Sequence, residues 1–442
     1  MAVSRIPLPV VQWLREFSTV LDKRSAVRLA TLWVGVVLAR GRRTVTRWIR
    51  AAGLSGQYRC CYATVAAAGK RADRIAARLA HAAVKPLVAG EPRLRLALDD
   101  TPTRRYGPHV QGAGLHHNPT PGPAGSPFVY GHVWVVLAVL ARHAGWGTIA
   151  LPLLARLYVR RKDLPSIAPK HRPTFRTKLE LAVELLTWAK TRLDSWGQSL
   201  WVVADGAYAK APFLKPAMTL GFTVVSRLRK DAALFDPPPP RRNGQRGRPR
   251  TYGRRLALAR RATHRHGWQT GTFDLYGKPT TKTYKTFLAT WPPVGGVIRV
   301  VVVKEPHGWV AFFATDPAAT VADILEAVAD RFSLEIAFRD LKEVVGAGQQ
   351  QTRFHFANVG SFHLCVWTFT LTEAWAWGRG EGALVDRRSS PWDTEPRRPS
   401  HADKRNALRR ELLREELSAV LAASPTAKKI HAATERLLQL AA

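Results

Sequence analysis

Cysteine is scarce here, with three residues in a chain of 442. Cys60 and Cys61 are neighbours and Cys365 stands alone. Neighbouring thiols are not a zinc-ligand spacing, and an odd count argues against a disulfide framework, so a reduced, cytoplasmic compartment is expected. Acidic residues are scarce as well: 32 Asp and Glu face 68 Lys and Arg, a formal charge of +36 with a pI near 11.2. So large an excess repels itself unless a polyanion neutralises it, and the usual polyanion is nucleic acid. The basic residues recur along the whole chain, which suits a protein that lies along its partner rather than one with a single basic arm. Long apolar runs are missing too. The longest, LATLWVGVVLA (29–39) and VWVVLAVLA (133–141), fall short of the roughly 20 residues a bilayer span needs. The opening MAVSRIPLPVVQWLREF lacks the apolar core and cleavage site of a secretory signal. No basic amphipathic anchor is visible either, so no membrane partner is expected.

What is present is ample for a folded protein. Hydrophobic residues make up 46% of the chain, enough for a large core, and the length suits two or three domains or one domain with large insertions. Residues 1–90 carry helical apolar spacing, as in DKRSAVRLATLWVGVVLAR and RADRIAARLAHAAVKPLV. Between these lies a basic helix, TVTRWIRAA, that stops at Gly53 before another helical segment. That is the outline of a helix-turn-helix, and equally of any helical bundle. From residue 93 the pattern changes to strands separated by helices, an α/β organisation. RLRLALDD (93–100) alternates and closes on Asp99 and Asp100, and the buried run in QSLWVVADGAYAK (198–210) stops at Asp205. In such sheets sites lie beyond the carboxyl ends of strands. The stretch DPPPPRRNGQRGRPRTYGRR (236–255) cannot bury a core and reads as an exposed loop. Within it, Arg246-Gly247-Arg248-Pro249 has the form of an AT-hook core, in which Arg246 and Arg248 would enter a narrow minor groove; a plain solvated basic loop fits the same residues. Residues 256–315 are strand-like. A helix over 320–345, an apolar helix containing NVGSFHLCVWTFTLTEAWAW and a polar, then helical, tail complete the chain.

The helix over 320–345 contains DRFSLEIAFRDLKE (330–343). At 100° per residue, Leu334, Ala337, Leu341, Val344 and Val345 form a core-facing stripe, and Arg331, Glu335, Phe338 and Lys342 a second stripe beside it. One carboxylate between two cations is ordinary helix decoration when taken alone. Together with Asp99 or Asp100 and Asp205 it makes a third acidic position in a very basic chain. Carboxylates gathered in one place repel unless a divalent cation neutralises them, and Mg²⁺ prefers a few carboxylates with phosphate oxygens and water. Two such ions about 4 Å apart serve phosphodiester displacement.

The series LALDDTP, VVADGAYAK and DRFSLEIAFRDLKE resembles the DDE transposases of bacterial insertion sequences, in particular the IS4-like superfamily, with an overall look similar to the IS701 type. The family's third motif is Tyr, two residues, Arg, three residues, Glu, six residues, Lys. Arg331, Glu335 and Lys342 match it in register, and Val328 departs from its Tyr. The resemblance covers roughly residues 90–380. It implies an α/β fold whose ribonuclease-H-like core (91–225 and 319–380) is interrupted by a basic loop and β-rich insertion (226–318). A helical DNA-binding region (1–90) would precede that core and a helical tail (381–442) would follow it. It implies Asp99, Asp205 and Glu335 as catalytic, metal-binding carboxylates, with Asp100 as the alternative to Asp99, since neighbouring strand residues face opposite ways. Two Mg²⁺ ions, replaceable by Mn²⁺, are the implied cofactors. Arg331 and Lys342 would contact phosphates of the transposon end. The implied partners are inverted-repeat ends and target DNA, bound by a homodimer at least on DNA, in the cytoplasm of a bacterium at its nucleoid. The implied activity is cleavage of the 3′ ends and their transfer to target DNA. A catalytically silent DNA-binding descendant and a nuclease without strand transfer are the alternatives.

Three further features are open from the sequence. His116 and His117 fall in a Pro- and Gly-rich loop and read as exposed rather than as a metal pair. QQQTRFHF (349–356) reads as a DNA contact or as a polar helix cap. Trp268, Trp291 and Trp309 are eligible to stack a flipped base or to fill core.

Overall fold

The computed structural model describes residues 8–117, 125–240, 246–388, 390–421 and 426–441. Five helices come first: α1 (Leu8–Ser18), α2 (Lys23–Leu38), α3 (Val45–Ala51), α4 (Tyr58–Lys70) and α5 (Ala72–Leu79). Side chains start two of them, Asp22 accepting from the Ser25 N–H and Thr44 from that of Arg47, which satisfies amides the helix itself leaves open. Next come β1 (Arg93–Arg104), β2 (Gly114–His117), β3 (Phe128–His143), β4 (Gly147–Tyr158), α6 (Lys178–Leu193), β5 (Ser199–Ala204), α7 (Ala211–Thr219) and β6 (Thr223–Leu228). A mostly β segment follows: β7 (Ala233–Phe235), β8 (Arg255–Ala257), α8 (Leu258–Thr263), β9 (Gln269–Leu275), β10 (Lys278–Trp291), β11 (Gly296–Glu305) and β12 (Gly308–Ala314). The last helices are α9 (Val321–Asp340), α10 (His355–Ala376), α11 (Glu381–Leu384), α12 (His401–Leu421) and α13 (Ala427–Ala441).

All twelve strands belong to one mixed sheet. One half runs β4–β3–β1–β5–β6, antiparallel from β4 to β1 and parallel from β1 to β6. That order and polarity are consistent with a ribonuclease-H-like α/β domain. The sheet continues from β6 into β12, β11 and β10, all antiparallel, and β9 folds back on β10. Period-two burial gives the sheet two apolar faces. Leu94, Leu96, Leu98, Leu200, Val202 and Ala204 fill one, under the helices of both ends of the chain. Trp201, Val203, Val225, Val301 and Val303 fill the other, against Ile324 and Leu325 of α9.

The α10 helix is buried along nearly its whole length, covered by β4, α4 and α12. No helix among the described residues is long and apolar enough to cross a membrane. Where α10 meets α4, Gly360 and Gly69 face each other so closely that a Cβ on Gly360 would overlap the Val65 carbonyl oxygen. Against β4, the polar side chains of α10 repair a bulge. Pairing skips Leu153, and the Trp367 indole N–H donates to its carbonyl at 3.0 Å while Thr370 Oγ1 donates to that of Pro152 at 2.6 Å.

The α12 helix is fastened to α10 by a buried charge cluster. Glu373 accepts from Lys404 Nζ at 2.5 Å and lies 2.7 Å from His401 Nδ1. Burial pushes the Glu373 carboxyl up, but the Lys404 ammonium and His401 outweigh it and hold the pKa at about 2. Its carboxylate therefore stabilises the fold above the ordinary value of 4.5, and that contribution is lost as the pH falls through about 2. Replacing Lys404 by Met leaves Glu373 buried with a single partner. Urea unfolding at neutral pH should show Lys404→Met about 3–5 kcal/mol less stable.

Candidate functional site

The alternation of β1 decides what faces what. Leu94, Leu96 and Leu98 point into one apolar face, and the intervening Arg93, Arg95 and Asp99 point toward α9. The α9 helix opens with a capping box between Thr320 and Asp323. Asp323 pairs with Arg93, whose guanidinium also stacks 4.6 Å from the Trp201 ring. Two turns on, the buried Asp330 accepts from Arg95 at 3.0 Å, from Arg142 of β3 at 3.3 Å and from Thr148 Oγ1 at 2.5 Å; Arg142 also reaches Glu326 at 2.9 Å. Arginines on the strands and acids on the helix thus seat α9 across the sheet.

One residue beyond Asp330 the polarity of the contact reverses. Arg331 on α9 donates through Nη1 to Asp99 Oδ2 at 2.7 Å and through Nη2 to Glu335 Oε1 at 2.8 Å. One guanidinium therefore joins carboxylates from β1 and α9. Asp205 belongs to the same neighbourhood. Parallel pairing of β1 with β5 ends at Leu98 opposite Ala204, so Asp99 and Asp205 are the next residues of adjacent strands. Asp205 is half-buried and accepts from the Ala207 N–H at 3.0 Å, which opens the turn at Gly206. Burial raises the Asp99 pKa to about 6 against the pull of Arg331, and the negative charges of Asp100 and Asp205 push the same way as burial. Asp100 points away from this group. It is held by Lys178 Nζ at 2.7 Å and by the Tyr208 hydroxyl, which donates at 3.2 Å. Burial, followed by the charge of Asp100, pushes the Tyr208 phenol well above its ordinary value.

Several sequence expectations change here. Asp99 and Asp100 do not end their strand, because β1 continues to Arg104 by pairing with β3 alone. Beyond Leu98 the β5 side of β1 is free, so Pro102 has no ladder bond to lose on that side. The α9 helix gives way at Leu341–Val345 to a wide π turn. Lys342 lies in that turn and lines a cavity, and burial lowers its pKa. Phe338 is buried. His116 is not in an exposed loop: it sits on β2, 9% exposed, and burial foremost lowers its pKa to about 4, while His117 beside it is exposed.

In the 349–356 segment, the Gln349 side chain accepts from the Arg43 N–H at 2.7 Å, and that of Gln350 donates to the carbonyls of Arg43 and Gly346, each at 2.8 Å. These glutamines pin the α2–α3 loop to the turn after α9. Trp291 packs in the core on Phe313, whereas Trp268 and Trp309 carry Lys285 and Lys230 over their rings. Arg246 and Arg248 are exposed, as is all of the described part of their loop from 246 to 251. The Asp330 cluster went unread in the sequence. Its signal was there, in arginines at alternate positions of RLRLALDD and acids at 323, 326 and 330, one face of a helix.

Among the described residues no group of three or more His, Cys, Asp or Glu side chains is gathered to hold a metal ion. The donor chemistry nevertheless suits a hard divalent cation. Asp99, Asp205 and Glu335 offer only carboxylate oxygens, and two of them already converge on one cationic group.

A family model described as DDE superfamily endonuclease matches residues 16–285, well over half of the chain. The matched span contains Asp99, Asp100 and Asp205 and ends before α9. No curated protein matches the chain.

Arg331 carries the charge balance of the site, and removing it leaves Asp99 and Glu335 without their shared cation. Arg331→Met should cost about 1–3 kcal/mol. Melting curves at pH 7.5 should show the loss, and millimolar Mn²⁺ should recover more of it in the variant than it adds to the native protein. Equal Mn²⁺ effects on both would mean that these carboxylates do not attract a cation.

Proposed function

Since the chain belongs to the DDE superfamily endonucleases, we propose that it is a DNA transposase whose metal-dependent site is built from Asp99, Asp205 and Glu335. The observation that carries this reading is the single guanidinium of Arg331 drawn between Asp99 and Glu335, beside the end of the strand that bears Asp205. The ribonuclease-H-like reading of β1 and β3–β6 supports it, with β7–β12 as the insertion that precedes α9.

In this reading Asp99, rather than Asp100, is the first carboxylate, because it is the one that faces α9. Asp99, Asp205 and Glu335 would hold Mg²⁺ or Mn²⁺. When bound, such ions activate a water or a 3′-hydroxyl and stabilise the leaving oxygen of a phosphodiester. The remaining work falls to side chains of the chain itself. The three carboxylates orient the reacting phosphate by fixing its counter-charges. Arg331, already at the site, balances their charge and, once cations take over that role, would be released to contact a phosphate of the DNA end. The helical region up to residue 90, Lys342 and the loop with Arg246 and Arg248 contribute positive charge along the DNA, giving salt-sensitive affinity. The DNA would be the inverted-repeat ends of the protein's own element, as in the insertion-sequence transposases that the motifs resemble. Two ends must be held together, so the working form would be a dimer on DNA, with 3′-end cleavage followed by joining to a target.

A silent DNA-binding protein is the competing reading, and the lack of a preformed three-carboxylate cluster among the described residues favours it. Supercoiled plasmid carrying the element's ends, incubated with Mg²⁺, separates the two. The native protein should nick at the ends. Glu335→Gln should lower nicking by more than the ~100-fold that loss of an outer-shell partner costs a metal site. Binding without nicking by both proteins would leave the silent reading. Joined product from a pre-cleaved end would distinguish a transposase from a nuclease without strand transfer.

A further inference from the structure

Outside the carboxylate group lies a cavity of about 1150 Å³ where three parts of the chain meet. The α2–α3 loop contributes Arg42, the outer end of β1 contributes Arg104 with Tyr106 just past it, and the segment after α9 contributes Lys342 and Gln349. Among the described residues no acidic side chain lines it. Arg42 and Arg104 are exposed, and Tyr106 leaves 70% of its surface in solvent, unusual for a large aromatic side chain.

The surroundings add positive charge instead of cancelling it. Arg405 of α12 donates to the carbonyls of Val36 and Ala39 at the end of α2, at 3.1 and 2.8 Å, and so supports the loop that carries Arg42. The buried Nε atoms of Arg43, Arg405 and Arg409 have no hydrogen-bond partner among the described residues. Burial, with Arg43 and Arg409 as next causes, lowers the Arg405 pKa to about 9. A cluster with so much unmatched cationic charge attracts an anion.

The position of the cavity says which anion. Arg104 follows Asp99 along the same extended strand by about 16 Å at ~3.3 Å per residue. Lys342 follows Glu335 along the same helical segment. An anion chain leaving the carboxylate group along β1 enters this cavity. Tyr106 adds a π face, which a stacked duplex does not use and an unpaired base does.

We propose that this cavity binds an unpaired DNA strand running to or from the carboxylate site, with Arg42 and Arg104 on its phosphates and Tyr106 stacked on a base. The proposal rests on the DNA-processing reading above and deepens it. It assigns strand binding to residues outside the catalytic motifs and makes the α2–α3 loop part of the same site.

The test is fluorescence anisotropy of a labelled oligothymidylate, with EDTA present, on the full-length protein and on Arg42→Ala/Arg104→Ala, Tyr106→Ala and Tyr106→Phe. All the substituted residues are exposed, and unchanged melting temperatures would certify folding. Between about 50 and about 200 mM salt, the double variant should lose about 1.4 from the slope of log affinity against log salt, ~0.7 per phosphate on a single strand. Tyr106→Ala should weaken binding at least about fivefold, and Tyr106→Phe, which keeps the ring, should not. Native affinity and slope in the double variant would overturn the proposal. So would a Tyr106→Ala variant that binds the oligonucleotide like the native protein. Because the readout is binding without metal, a protein that never nicks plasmid would defeat the nuclease reading and leave this outcome separately legible.

Discussion

The seating of α9 on β1 by opposite charges is the constraint on which the candidate site depends. Arg93 holds Asp323, Arg95 and Arg142 hold Asp330, and Asp99 holds Arg331. Apolar packing supplies part of this seat through Ile324, Leu325, Leu334 and Phe338, but Ala327, Ala329 and Ala337 between them give little grip. Alanines slide past one another at little cost. Guanidinium–carboxylate pairs do not, since each needs its own geometry and a misplaced partner leaves a half-buried charge without a counter-ion. The ion pairs therefore set where Glu335 stands relative to Asp99, although neither Asp323 nor Asp330 touches it.

That seat has an electrostatic consequence. Three acidic side chains on one face of the sheet edge would oppose each other, and burial worsens it at Asp99, whose pKa is driven up to about 6. Arg331 relieves the conflict by lying between two of them. A position that a guanidinium occupies comfortably is one with local negative potential and oxygen ligands on two sides, which is also what a hard divalent cation requires. The alternation of β1 keeps Asp100 out of this balance. Its charge is met on the opposite face by Lys178 and Tyr208, so the two adjacent aspartates serve different sides of the sheet.

Much of this was legible in the sequence because the governing patterns are local. Period-two runs gave β1, β5 and β6 their positions and helical periodicity gave α6, α9 and α10 theirs; Asp205 follows the end of β5 and Glu335 lies on α9, whereas Asp99 falls inside β1. What escaped depends on neighbours that are distant in the chain. Thr101-Pro102-Thr103 reads as a turn, and it continues β1 only because β3 supplies a partner while β5 has already stopped. Arg93 and Arg95 alternate with the leucines of β1, and what covers their face, the acids of α9, lies more than 200 residues away. His116 sits among loop-forming residues and is buried because β2 pairs with β3. The π turn at 341–345 has no local signature.

Lys342 connects the two charged features of the protein. It lies in the wider turn that follows α9 and lines the same cavity as Arg42 and Arg104, and the chain then closes on the α2–α3 loop through Gln349 and Gln350. The same two elements, β1 and α9 with its following turn, thus begin at a group of carboxylates and end in a cavity of cations. Acids are few in this chain, and those near β1 are engaged in seating α9 or in the carboxylate group itself. Little negative charge is left to line the cavity, and a net charge of +36 is expressed next to the acidic site as well as far from it. A phosphodiester chain satisfies both ends at once, its charge drawn to the cations while the phosphate to be cut is brought to the carboxylates.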